Sequence, residues 1–149
     1  MHFIAYISQY TGDDIKTDLN DIYQTSSKNN RNVGISGVLL FYEDRFLQAL
    51  EGRRSDLENL MAKIQKDPRH KNVVRIIDKS IDERTFEDWN MDTFYIQNSK
   101  VLNWDIIEFF KDEYCKLLSN FEPKMFISFL KDFVEDPEAE GIMLSARGK

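Results

Sequence analysis

Residues 1–8 alternate, with Phe3, Ala5 and Ile7 on one side and Ile4 and Tyr6 on the other. Both sides are largely apolar, the pattern of a strand covered on both faces. Asp13 and Asp14 offer an N-cap, and Ile15, Leu19, Ile22 and Tyr23 then recur at helical spacing to about Asn29. Residues 34–42 and 46–50 give two further strands. They are joined through Glu43-Asp44, a hairpin link without the favoured Asn-Gly or Asp-Gly pair. Ser55-Asp56-Leu57-Glu58 has the form of a capping box. Leu57, Leu60, Met61 and Ile64 share one face of the helix it opens, and Asp67-Pro68 ends the run. Residues 73–78 and 91–96 are fourth and fifth strands.

The order βαββαβ predicts an α+β, ferredoxin-like sheet with a fifth strand and both helices on one face. The first and third strands are expected as central, parallel neighbours, which sets Tyr6 and Gln48 about 4.8 Å apart. Trp104, Ile107, Phe110, Tyr114, Leu117 and Leu118 suit one C-terminal helix. Phe126, Phe129, Leu130 and Phe133 suit a second, opened by Pro123. These stripes are expected to cover the other face of the sheet. Residues 136–149 read as a polar, mobile tail. The chain is therefore expected to divide into a sheet-bearing domain over 1–97 and a helical cap with its tail over 98–149.

Composition narrows the function classes. A chain of 149 residues with 42 % hydrophobic content, eleven Phe and six Tyr can bury a real core as one domain. A formal net charge of −6 without a basic stripe argues against direct nucleic-acid binding. No apolar run reaches membrane-spanning length, and the start lacks the marks of a signal peptide. The single cysteine, Cys115, excludes an internal disulfide framework and a thiolate cluster for zinc. A cytoplasmic protein is expected.

The candidate chemistry lies in polar groups at core-like positions. Gln48 sits among Phe46, Leu47, Ala49 and Leu50, where an aliphatic residue is expected. Tyr6 falls within the first strand, and Asn30 at the end of the first helix. An amide or phenol facing a core is costly unless hydrogen-bonded, so the three together suggest a buried polar ligand. Each has a plainer reading: a core tyrosine with a satisfied hydroxyl, an edge glutamine in water, and an asparagine ending a helix in the left-handed conformation. Trp89 and Met91 read equally as core packing.

Five stretches in one order carry a family resemblance over roughly residues 1–97. They are Tyr6-Ile7-Ser8; Ser26-Ser27-Lys28-Asn29-Asn30 followed by Gly34-Ile35-Ser36-Gly37; Phe46-Leu47-Gln48-Ala49-Leu50-Glu51-Gly52; Asp67-Pro68-Arg69-His70; and Phe86-Glu87-Asp88-Trp89-Asn90-Met91. Together they resemble the BLUF domain, the sensor of blue light using flavin. The resemblance implies that Tyr6 and Gln48 are the photoactive pair. It implies a flavin, FAD by family expectation with FMN or riboflavin as alternatives. Asn30 would bind the O4/N3 side of its ring, with Asn29 at a place that some members give to histidine. Ile22, Leu39 or Leu40, and Phe46 would supply apolar walls; Lys63, Asp67, Arg69 and His70 would lie toward the phosphates. Trp89 and Met91 would relay the signal. The chemistry implied is electron and proton transfer from Tyr6 through the amide, leaving Gln48 rotated or tautomerised and the absorption shifted to the red.

Asp44-Arg45-Phe46-Leu47-Gln48 also echoes the Cys-Arg-Phe-Leu-Gln motif of LOV photoreceptors. Asp44 stands at the cysteine position, so adduct chemistry has no thiol there. Two other function classes are a flavin-dependent redox enzyme and a flavin-free ferredoxin-like interaction module. An acylphosphatase-like enzyme is disfavoured because the loop Gln9-Tyr10-Thr11-Gly12-Asp13-Asp14 is acidic. A sensor without an attached effector implies output through an unidentified downstream protein or a homo-oligomer, with no membrane.

Overall fold

A computed structural model describes residues 1–85, 90–98 and 140–144. In chain order these form β1 (His2–Tyr10), α1 (Ile15–Asn32), β2 (Ser36–Tyr42), β3 (Arg45–Gly52), α2 (Arg54–Lys66), β4 (His70–Ser80), β5 (Asn90–Asn98) and β6 (Glu140–Leu144). The strands make one sheet in the order β4-β1-β3-β2-β5-β6. The first six elements give the expected α+β, ferredoxin-like arrangement. Trp89 and the two C-terminal helices expected around Trp104 and Phe126 lie outside the described residues.

The expected parallel pairing of β1 and β3 is incorrect. They pair antiparallel, with Tyr6 directly opposite Gln48. Helix α1 carries the chain back, so β2 runs in the direction of β1, and the following hairpin reverses β3 against both. Among the pairings between described strands, only β2 with β5 is parallel. Residues 140–144, expected in a mobile tail, instead pair as β6 along β5.

Local chemistry explains most element ends. The Asp14 carboxylate caps α1 by accepting from the Thr17 N–H at 3.3 Å and its hydroxyl at 2.7 Å. Helix α2 does not use the expected capping box. It starts two residues earlier, with Arg53 rather than Ser55 as N-cap and no side-chain cap bond, and its first turn closes through Leu57 N–H to Arg53 C=O. The β2–β3 hairpin turns through Glu43 and Asp44 at φ 50° and 62°. Two successive left-handed residues match the twist of a two-residue hairpin, so the turn forms without glycine.

Both helices lie on one face of the sheet. Leu57 and Met61 of α2 pack on Ile4, Tyr6 and Leu50, whereas Leu19 and Ile22 of α1 pack on Leu39, Phe41 and Phe46. Phe46 and Leu50 are four apart on β3 and so point to the same side. The two clusters flank a gap over the middle of β3, where Gln48 lies.

Candidate functional site

Tyr6, Gln48 and Leu39 form one row across the sheet, each opposite the next on β1, β3 and β2. Residues paired this way carry Cβ atoms about 4.5–5.5 Å apart. The Tyr6 hydroxyl donates to Gln48 Oε1 at 2.5 Å, and both residues are buried. Burial, reinforced by the Asp67 charge, holds the Tyr6 pKa well above the ordinary phenol value, so Tyr6 keeps its proton. With Oε1 taken by Tyr6, the Nε2 donors of Gln48 remain for the cavity it borders.

That cavity, of about 290 Å³, lies between the two helices and the sheet. Ligand pockets span roughly 300–1,000 Å³, so it has room for a flat ring system rather than a whole dinucleotide. Ile22 and Leu39 supply apolar wall, Asn29 and Asn30 approach from the end of α1, and Lys63, Asp67, Arg69 and His70 stand on the α2 side. Leu40 and Phe46, both expected as walls, do not border it. Leu40 follows Leu39 on the strand and points to the opposite face. Phe46 is packed into the α1 core and lies against the His70 ring, centroids 4.5 Å apart. It shapes the site through His70.

Asn30 is buried inside α1, and its side-chain Nδ2 has no hydrogen-bond partner among the described residues. The plainer reading, an asparagine taking the left-handed position at the helix end, fails. The helix runs to Asn32, and Gly34 takes that conformation at φ 74°. An amide donor left unpaired in a buried place costs about 1–3 kcal/mol. Its presence on the cavity wall is what a ligand acceptor would relieve.

The charged side of the cavity is internally compensated. Arg69 donates to Asp67 through Nε at 3.0 Å and through a terminal nitrogen at 2.7 Å, and reaches Asp21 at 2.9 Å. These bonds raise the Arg69 pKa beyond its ordinary value. Burial works against the Asp67 carboxylate, but the Arg69 hydrogen bonds outweigh it and hold its pKa low. His70 is pushed down to about 4, chiefly by burial, and is neutral at neutral pH. Its Nδ1 meets the Ser8 hydroxyl at 2.8 Å, and its ring stands edge-on to Tyr6 with centroids 6.2 Å apart.

Sequence reasoning missed several cavity residues, among them Thr25, Ser26, Val33, Asp56, Asn59 and Leu60. Asp56, Asn59 and Lys63 form a stripe spaced by three and four on α2, a signal that reads as a solvated face until the sheet is placed. Of the relay pair, Trp89 lies outside the described residues. Met91 falls on β5 where the register shifts, because Gly37 pairs with Asn90 and Val38 with Asp92. Among the described residues no cluster of three His, Cys, Asp or Glu is placed to hold a metal, and no helix is long and apolar enough to cross a membrane.

The arrangement therefore suits a flat heterocycle with hydrogen-bonding edges, held by amide donors from Asn30 and Gln48 between apolar walls. A flavin ring meets that description, and the unpaired Asn30 Nδ2 is the observation that fits it. Comparison with known proteins points the same way. Residues 1–92 match the family described as sensors of blue-light using FAD. The photoactivated adenylate cyclase subunit beta of Euglena longa is 37 % identical over 89 residues, 59 % of this chain and 10 % of that protein. The chain thus spans about a tenth of the length of such curated relatives. The photo-activated state of BlsA superposes with a TM-score of 0.67 at 30 % identity, covering 91 % of this chain and 96 % of the other. A bacterial light-regulated adenylyl cyclase gives 0.62 at 28 % identity, over 89 % of this chain and 40 % of that one. With the Tyr6–Gln48 bond, the α+β sheet and the family match over more than half its length in agreement, the chain belongs to the BLUF family of flavin-binding blue-light sensors.

Proposed function

We propose that the chain is a blue-light photoreceptor that holds the ring of FAD non-covalently in the cavity with the rest of the dinucleotide outside it, catalyses no reaction itself, and signals to another protein or to a second copy of itself. The observation that carries this reading is the buried Tyr6–Gln48 hydrogen bond on the cavity wall. Bound flavin supplies the blue-light absorption and, once excited, the capacity to accept an electron from a phenol. Everything else falls to the chain's own residues. Asn30 and Gln48 orient the ring through amide donors, Ile22 and Leu39 exclude water from its faces, and Lys63 and Arg69 stand where a phosphate-bearing tail would leave.

Tyr6 holds its proton firmly in the dark because burial disfavours the phenolate. An oxidised phenol becomes strongly acidic, and Gln48 Oε1, at 2.5 Å, is positioned to take the proton. Rotation of the amide, or gain of a proton at Oε1 with loss of one from Nε2 to an acceptor on the ligand, changes what Gln48 presents to the cavity. Return of the electron and a proton from the ligand restores the Tyr6 phenol. In the rotated form Nε2 faces Tyr6 and Oε1 faces the ligand. No thiol and no substrate are needed.

The test is to remove each partner while keeping volume. Tyr6→Phe should retain flavin and lose the light-induced red shift, and Gln48→Leu should do the same. A normal lit state in both variants would sink the mechanism. Chromatography of the heat-released cofactor identifies it, and FMN or riboflavin as the main product would overturn the FAD assignment while leaving the sensor reading intact.

A further inference from the structure

Glu51 on β3 is fully buried, at 0 % exposure. It lies on the face of the sheet opposite the cavity, since Gln48 and Leu50 point to the helices and side chains alternate. Its Oε2 accepts from the Thr85 backbone N–H at 2.8 Å and from the Thr85 hydroxyl at 2.7 Å. Its Oε1 accepts from the Ser36 hydroxyl at 3.4 Å. Arg84, next in the chain, donates to the same Ser36 oxygen at 2.7 Å and to the Gly34 carbonyl at 2.5 Å.

These bonds join three places. Glu51 is three residues along β3 from Gln48. Gly34 and Ser36 are the junction between α1 and β2, and Ile35 within it donates its N–H to the Asn30 carbonyl at 2.8 Å. Arg84 and Thr85 belong to the segment that leads toward β5. The β5 strand joins β2 beside Ser36, through the Gly37–Asn90 pair, immediately before the register shift at Met91. The Thr85 and Arg84 bonds are short and directional, so they stretch little before they break, whereas the Ser36–Glu51 contact at 3.4 Å is the looser link. A movement of β3 against the α1–β2 junction therefore either carries residues 84–85 with it or releases them.

We propose that Glu51, with Arg84 and Thr85, is the clasp that delivers a hydrogen-bond rearrangement at Gln48 and Asn30 to the start of β5. Glu51 is thus a positioning residue of the light response, remote from the cavity. The inference rests on the flavin-sensor reading above. It assigns a route that leaves the pocket across the sheet to the opposite face.

The test uses the full, flavin-loaded chain, with amide hydrogen exchange followed in darkness and under blue light alongside the absorption spectrum. Glu51→Gln, Thr85→Val and Arg84→Ala should all keep the red shift, because none borders the cavity. Glu51→Gln keeps a single acceptor oxygen for partners that now share two, so it should speed dark exchange of the Thr85 amide by roughly tenfold at most, the scale of one weakened hydrogen bond. Glu51→Gln, Thr85→Val and Arg84→Ala should lose most of the light-minus-dark exchange difference over residues 90–98, and Thr85→Ser, which keeps the hydroxyl, should retain it. If Glu51→Gln does not fold, Thr85→Val and the exposed Arg84→Ala carry the test. A wild-type light response over 90–98 in those two variants would overturn the clasp. A wild type that shifts its spectrum without changing exchange there would also overturn it, whereas a wild type with no spectral shift would remove the sensor reading itself.

Discussion

Replacing Asn30 with alanine should separate ligand binding from folding. Nδ2 of Asn30 is buried and has no partner among the described residues, so its removal discards no hydrogen bond from that donor to the described part of the chain. Alanine is also the better residue inside a helix, by up to about 0.7 kcal/mol. The stripped variant should therefore be at least as stable as the stripped wild type. Binding should move the other way, because the ligand loses the donor that this position supplies. At about 1–3 kcal/mol for such a buried group, affinity for flavin should fall roughly 5- to 150-fold. Titration of FAD into stripped protein, read by flavin fluorescence, measures the affinity; urea unfolding of the stripped forms measures the stability. Unchanged affinity, or a stripped variant clearly less stable than wild type, would refute the assignment and return Asn30 to a structural role.

Acid should weaken the fold through His70. Its pKa is lowered to about 4 in the folded chain, against about 6.5 when unfolded. The stabilisation from keeping it neutral is complete above the unfolded value and is lost as pH falls from about 6.5 toward 4, a few kcal/mol at most. Urea midpoints across that window should fall in wild type and stay flatter in His70→Phe; parallel curves would assign the acid sensitivity elsewhere. Gly37 cannot carry a side chain, since a Cβ there would run into the Ala49 carbonyl of β3. Gly37→Ala should cost about 1–3 kcal/mol of stability, and a melting temperature equal to wild type would contradict the tight β2–β3 approach. Met91→Ala should keep the spectral shift and weaken light-dependent oligomer or exchange changes, and an undiminished response in both would remove Met91 from the relay.

Periodicity found the elements because each strand and helix buries a contiguous apolar face. Phe3–Ile7, the Leu57–Met61 face and the residues around Leu39 all fell where their pattern placed them. Gln48 was legible for the converse reason, a polar group in an apolar run. Strand direction follows from the element order, because a helix carries the chain back and a hairpin reverses it, so β3 must run against β1; alternation alone reports only which face a residue takes. The parallel expectation for β1 and β3 overlooked the reversal at the β2–β3 hairpin. The start of α2 misled because Ser55 and Glu58 have the composition of a capping box, while Arg53 occupies the cap and Glu58 instead binds Arg75 of β4 at 2.8 Å. Leu40 and Phe46 needed the sheet's facing and the His70 ring before they could be placed. The Glu51 clasp spans 34 residues, and no local pattern announces a contact of that separation.

If light rearranges the Tyr6–Gln48 bond beside a bound flavin without a covalent adduct, the flavin spectrum must report it. The light-minus-dark absorption spectrum of the purified wild-type chain tests it most directly. The protein should be yellow, and its flavin bands should move slightly to the red under blue light, keep their intensity, and return in darkness. A colourless protein with no affinity for flavin, a loss of the blue bands on illumination, or bands that do not move would contradict it.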